Sequence, residues 1–162
     1  MATTESAAAG LKISIARMNE HDLVEVCEIE QLTDLSAWGW DAYHAELQSP
    51  IDTVMLVARI QSAIYEIKIA GFIVARLIAG ELHVNNVAVR PGFRGQKIGS
   101  ALLETTLKLA QDRKATIAQL EVRAGNEAAQ KLYERCGFEV VGRRRDYYRA
   151  PTEDALLMSR LL

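Results

Sequence analysis

Of the 162 residues only two are cysteine, Cys27 and Cys136, and three are histidine, His21, His44 and His83. They are scattered, with no C-x-x-C pair, so the closely spaced nitrogen and sulfur ligands of a structural zinc site are missing and no metal is expected. The scarcity of cysteine fits a reducing compartment. Charge of one sign is lacking too. Nineteen basic and 21 acidic side chains leave a net charge of −2, so no global basic field draws the chain to nucleic acid or to a membrane surface. No run reaches the roughly 18 apolar residues that span a bilayer; residues 69–79 are too short and contain Arg76. Residues 1–10 have neither the basic start nor the apolar core of a signal peptide. Repeats and low-complexity segments are absent.

What is present is ordinary. Apolar residues make up 49% and charged residues 25%, which excludes a disordered chain, a collagen-like repeat and a disulfide-stapled miniprotein. A length of 162 residues against roughly 150 per domain points to a single domain over 11–162 after a mobile, disordered tail over 1–10. The expectation is a soluble, cytoplasmic protein, a monomer or weak dimer, able to bury a core.

Leu11, Ile13 and Ile15 alternate with Lys12 and Ser14, the period of a half-buried strand. A helix starts at Asn19 or Glu20, with Leu23, Val26, Cys27, Ile29 and Glu30 at helical spacing, and a second covers about 40–48, ended by Ser49-Pro50. Residues 53–60, 67–78 and 81–90 read as strands. A helix over about 97–113 presents Ile98, Leu102, Thr105 and Leu109 as one stripe. The strand 117–123 follows, then a helix over 127–135 between Asn126 and Gly137, and two strands over 138–148 and 154–161. The order β-α-α-β-β-β-α-β-α-β-β excludes an all-α bundle and an all-β sandwich. It is that of a mixed α/β layer protein with a central sheet.

The loop from Arg90 to Lys97 carries the first chemical signal. It joins a strand to a helix start, whose unpaired N–H groups and dipole attract anions. Gly95 and Gly99 would let the backbone approach a phosphate, and Arg94 and Lys97 add charge. Neither G-x-x-x-x-G-K-S/T nor G-x-G-x-x-G is present. Taken alone, the stretch is equally a glycine-rich turn capping a surface helix. It resembles the Q/R-x-x-G-x-G/A motif of the GNAT superfamily of acetyl-CoA-dependent N-acetyltransferases. Arg94 and Gly99 fit, as does the leading Val87-Ala88-Val89, while Lys97 stands where the family has glycine. A side chain there is tolerable if its φ stays helical. The resemblance implies acetyl-CoA as co-substrate: its pyrophosphate on the N–H groups of Gly95, Gln96, Lys97, Ile98, Gly99 and Ser100, and its pantetheine arm beside Val87, Ala88 and Val89.

The second signal runs from Leu120 to Phe138. On the strand Ala118, Leu120 and Val122 face one way and Gln119, Glu121 and Arg123 the other. Without a family, Glu121 and Arg123 read as a surface ion pair. Ala128, Ala129, Leu132 and Tyr133 read as a core stripe, and Asn126 as a helix cap. Together they resemble L-E-V-R-x-x-N-x-x-A-x-x-L-Y-x-x-x-G-F of the bacterial ribosomal-protein-alanine N-terminal acetyltransferases in the GNAT class. Further matches are residues 144–148 (RRDYY) before Pro151, Glu153-Asp154-Ala155 with Met158, and Ile29-Glu30 followed by Trp38. The likeness spans about 11–162 and is strongest after residue 81. It implies a GNAT fold, a mixed, mostly antiparallel sheet of about seven strands flanked by about four helices. It also implies Glu121 as proton acceptor, Tyr133 as proton donor and Asn126 as a cofactor contact.

The implied acceptor is a protein N-terminus, of a small-subunit ribosomal protein by the same resemblance, attacked directly in a ternary complex. Trp38, Tyr147 and Tyr148 would clamp it, or else they are core and surface aromatics. Arg143, Arg144 and Arg145 form a basic run, solvated or touching phosphate, RNA or an acidic partner. Glu30, Glu139 and Asp146 would receive a basic substrate, and His83, Asn85 and Asn86 reach toward the site. The alternatives are a lysine or small-molecule acetyltransferase and a CoA-binding module without turnover.

Overall fold

The computed structural model describes residues 3–5, 12–33, 35–62 and 66–162. Along the chain run β1 (Thr3–Glu5), β2 (Lys12–Arg17), α1 (Leu23–Gln31), α2 (Gly39–Leu47), β3 (Thr53–Gln61), β4 (Ile69–Ile78) and β5 (Glu81–Val89). Then follow α3 (Ile98–Asp112), β6 (Ile117–Arg123), α4 (Glu127–Arg135), β7 (Glu139–Arg149) and β8 (Thr152–Leu161). From β2 onward this is the expected order, and β6 and α4 keep the expected ends. Residues 3–5 fall inside the expected tail yet pair with β2, Thr3 opposite Ser14. β-Branched Thr3 and Thr4 suit that edge, so the sheet has eight strands rather than seven. The rest of the tail and Leu11 lie outside the described residues.

The sheet order is β1-β2-β3-β4-β5-β6-β8-β7. Only the β5–β6 pair is parallel, and α3 lies in the crossover such a pair requires. On one face Ile98, Leu102, Leu103 and Leu107 of α3 pack on Leu82 and Val84 of β5 and on Ala118, Leu120 and Val122 of β6. On the other, Leu23, Val26 and Ile29 of α1 and Tyr43 of α2 pack on Met55, Val57, Phe72, Val74 and Ala88. Among the described residues no helix is long and apolar enough to cross a membrane.

Two helix stripes differ from expectation. In α3 the fully buried threonine is Thr106, not Thr105. Its hydroxyl donates to the Leu102 carbonyl at 2.8 Å, which lets a polar side chain enter the core. In α4, Ala129 and Leu132 pack on the core beside buried Tyr133, while Ala128 is exposed.

One irregularity opens the sheet. Val74 pairs with Asn86 but Ala75 with Val84, so Asn85 is an extra residue, a β-bulge that bends the strand. Pairing of β5 with β6 ends at Val84 opposite Leu120. Beyond it Val87, Ala88 and Val89 pair only with β4, and Glu121, Val122 and Arg123 only with β8. The two parallel strands therefore part at the middle of the sheet and leave two unpaired backbone edges facing the gap.

Candidate active site

The loop beyond β5 is held from below. Arg90 is buried, donates from Nε to the Ile69 carbonyl at 2.8 Å, and reaches Glu25 and Glu28 at 3.2 and 2.9 Å. Phe93 is buried in the α3-side core, and Arg94 Nε donates to the Val89 carbonyl at 3.3 Å. These anchors bring the start of α3 to the mouth of the split. No side chain caps α3 there, so the N–H groups of Ile98, Gly99 and Ser100 and the positive helix end are left for an anion.

One detail of this loop corrects an expectation. Lys97 has φ +61° and ψ +20°, the left-handed region where a Cβ is strained, so its φ does not stay helical. The chain keeps the glycine-type backbone with a lysine on it. Gly99 also serves packing: a Cβ there would lie 3.1 Å from Leu132. Gly95, at φ +78° with open space around it, is the residue that makes the turn and leaves room.

Glu121 points from β6 toward the face that α1 and α2 partly cover. Its carboxylate lies 2.9 Å from His83 Nε2; Arg123 is not its partner. The Arg123 guanidinium instead lies 4.2 Å over the Tyr148 ring and donates to the Pro151 carbonyl and Glu153 at 3.3 and 3.4 Å. Glu121 and Arg123 follow the same strand face, but β8 supplies Glu153 to one and β5 supplies His83 to the other.

Tyr133 is buried on α4 against Phe138, ring centroids 6.0 Å apart. Burial lifts its phenol far above the ordinary range, and Tyr148 and Cys136 add to the effect. Its hydroxyl makes no hydrogen bond among the described residues, so it remains a proton donor with its proton uncommitted. Tyr148 lies between the two sides of the site. Its phenol is pushed up to about 12 by burial and by Tyr147, with Glu121 and Glu153 raising it and Arg123 opposing. Tyr148 thus lies within electrostatic reach of Glu121 and of Tyr133.

Beside them is a cleft of about 950 Å³ lined by Thr33, residues 35–37, Arg123, Tyr147, Tyr148, Arg149 and the Ala150-Pro151 turn. Tyr147 and Tyr148 line it. The half-buried Trp38 ring is stacked on Tyr43 at 5.4 Å. Glu30 is enclosed and cannot meet a basic substrate. Arg143 pairs with Asp154 at 2.7 Å, Asp146 N–H donates to the same carboxylate, and Arg144 lies over Tyr147. Glu139 is exposed on the edge strand β7. A second, open hollow of about 600 Å³ lies at the start of α4 between Asn126, Ala128, Lys131 and Arg135. There Asn126 Oδ1 accepts from Ala129 N–H at 3.1 Å as a helix cap.

Asn85 Oδ1 is the single buried side-chain oxygen or nitrogen without a hydrogen-bond partner among the described residues. It sits on the bulge, at the head of the split. A cluster that sequence reasoning left unassembled is Glu30, Tyr43 and Asn86, joined by hydrogen bonds. Its one sequence signal was an acidic residue on the apolar stripe of α1.

Comparison with known proteins adds the family. Residues 23–138 match the model of the Acetyltransferase (GNAT) family. The ribosomal protein bS18-alanine N-acetyltransferase of Salmonella typhimurium is 30% identical over 150 residues, 90% of this chain and 95% of that protein. The crystal structure of the ribosomal-protein-S18-alanine N-acetyltransferase from Escherichia coli aligns with a TM-score of 0.78 at 28% identity, covering 92% of this chain and 93% of that one. Arabidopsis thaliana NAA60 in complex with acetyl-CoA shares the fold, with a TM-score of 0.84 at 18% identity over 93% and 98% of the two chains. The split sheet and the open helix start thus belong to a chain that is a member of the acetyltransferase (GNAT) family.

Proposed function

We propose that this enzyme transfers the acetyl group of acetyl-CoA to the α-amine of a protein N-terminus, an N-terminal alanine of a small-subunit ribosomal protein being the preferred acceptor. The observation that supports the reading is the β5–β6 split with Glu121 just beyond it on β6, in a chain whose full-length relatives are named for that reaction. The residues fit acetyl-CoA. The open α3 start suits a pyrophosphate, the unpaired edge of Val87, Ala88 and Val89 suits the amides of the pantetheine arm, and orphaned Asn85 Oδ1 lacks only a donor. Lys97 and Arg94 add charge at the same mouth, and Asn126 Nδ2 is left for the cofactor while Oδ1 caps the helix. Acetyl-CoA supplies the electrophile, a thioester carbonyl carbon.

The chain supplies the proton traffic. An α-amine has a pKa of about 7.7–8.0, so roughly a tenth is neutral at pH 7, against a few parts in ten thousand for lysine. Glu121, oriented by His83, takes the remaining proton, directly or through one water. Tyr133, kept protonated by burial, gives its proton to the departing thiolate. Tyr147 and Tyr148 hold the acceptor's first residues in the cleft. Cys27 lies on α1, and Cys136, though beside Tyr133, is buried with its thiol raised by burial, so attack is direct and no acyl-enzyme forms. The enzyme works in the cytoplasm, where ribosomal proteins are made.

The test is incubation with acetyl-CoA and unblocked peptides starting with Ala, Met, Ser or Lys, an acetyl-blocked peptide with an internal lysine, and spermine, followed by mass. One acetyl group on the Ala-start α-amine and none on the blocked peptide is the expected result. Acetylation of spermine or the internal lysine instead would overturn the acceptor class. CoA binding without any transfer would favour a binding module.

A further inference from the structure

Glu30 is buried at 4% exposure, and among the described residues no cation pairs with it. Its two oxygens accept three hydrogen bonds: from Trp38 N–H at 2.9 Å, from Gly39 N–H at 3.1 Å and from the Tyr43 hydroxyl at 2.5 Å. A buried carboxylate without a cation is expensive unless its lone pairs are all used. Glutamine could not replace it here, because donors reach both oxygens and one would meet an amide NH2. Trp38 and Gly39 open α2, whose N-cap has no side-chain bond of its own, and the chain enters the helix through Gly39 at φ +78°. Glu30 is thus the clamp that sets where residues 35–37, directly before Trp38, stand, and these residues wall the cleft.

The same network continues to the other substrate's side. Tyr43 is fully buried and accepts from Asn86 Nδ2 at 2.9 Å. Burial, more than any neighbour, raises its phenol, so it stays a donor to Glu30. Asn86 follows the bulge on β5 and precedes Val87, Ala88 and Val89, whose free edge faces the split. One unbroken path therefore runs Asn86 Nδ2 to Tyr43 Oη, Tyr43 Oη to Glu30, and Glu30 to the Trp38 and Gly39 amides.

We propose that Glu30, Tyr43 and Asn86 are positioning residues that couple the two binding sites, so that a donor seated along β5 tightens the acceptor loop. This rests on the function proposed above and extends it. A ligand against Val87–Val89 restrains Asn86, the restraint holds Tyr43 on Glu30, and residues 35–39 lose freedom before the acceptor arrives. The acceptor then binds a wall already ordered, which lowers the ordering it must itself supply. Nothing in the path touches reacting atoms.

The test uses the full chain, coenzyme A as probe, and two variants, Tyr43→Phe and Asn86→Ser, which keep the ring in the core and a small polar group on β5. Amide hydrogen exchange at Trp38 and Gly39 is followed with and without coenzyme A, beside its Kd. In the wild type coenzyme A should slow both amides at least about fivefold. In Tyr43→Phe the slowing should disappear while Kd stays within about twofold. With acetyl-CoA and the Ala-start peptide, the acceptor KM of Tyr43→Phe should rise about tenfold, the size of one lost bond to a charged partner, with kcat within about threefold. Equal slowing in wild type and Tyr43→Phe, or none in the wild type, would overturn the coupling. So would equal losses in kcat and both KM values, the mark of a merely loosened fold. A wild type that binds coenzyme A and shows the slowing but transfers no acetyl group would sustain the coupling and refute the acceptor. Failure to bind coenzyme A at all would sink both.

Discussion

The two faces of the sheet are built from different materials. Under α3 the core is apolar, and its one buried polar side chain on the helix, Thr106, bonds within its own helix. Under α1 and α2 the smaller cluster is edged by buried or half-buried charge. Asp22 takes both Arg59 nitrogens at 2.8 Å, Arg90 joins Glu25 and Glu28, and Glu30 and Asn86 meet through Tyr43. Apolar contact is non-directional and tolerates small shifts, whereas a hydrogen bond fixes distance and angle. The α3 face therefore supplies stability, and the α1–α2 face supplies position. The proposed catalytic pair draws on both: Tyr133 comes from the apolar side and Glu121 faces the polar one.

That division can be broken or sharpened. Glu121→Gln, which removes the base and leaves the cores intact, should lower kcat about 10²- to 10⁴-fold with an unchanged urea midpoint; a fall of less than tenfold would remove Glu121 from its role. Leu102→Ala on the α3 face should cost about 2–5 kcal/mol of stability in urea titration, while the acceptor KM of the folded enzyme stays put. A changed KM would show that the faces are not separable.

Alkaline pH should weaken both faces together. Tyr43, Tyr133 and Tyr148 all have raised phenols, so above about pH 10, the unfolded value, the unfolded chain binds fewer protons than the folded one. Stability is then complete below about pH 10 and is lost as pH rises toward the folded values. Urea midpoints at pH 8 and pH 11 would show it, and Tyr133→Phe should flatten the drop. The smallest effect belongs to the loop: Lys97→Gly relieves a left-handed lysine and should stabilise the fold by about 1 kcal/mol. Coenzyme A titration of that variant would measure how much the lysine charge contributes to binding.

Much of this was legible in the residues. Strict alternation over 117–123 marks β6 because a pleated strand buries every second side chain, and Asn126 and Gly137 bracket α4 for the ordinary reasons of capping. The α3 stripe slipped by one threonine because a helix buries a wide arc, and spacing alone cannot say which polar residue will satisfy itself locally. Glu121 and Tyr133 stood out only as parts of a dense pattern; each by itself read as surface or core.

Local physics, then, was enough for the order of elements, the polar and apolar faces of β6, and the positive mouth before α3, since each depends on neighbours a few positions apart. The tertiary structure decided the rest. It alone parted β5 from β6 at the Asn85 bulge, gave Glu121 to His83 and Arg123 to Glu153, and put Lys97 in a glycine's conformation. It also turned Glu30 from a candidate for substrate into a buried clamp. Each of these contacts joins residues from elements remote in sequence, and only the packing of the sheet brings their atoms within hydrogen-bond reach.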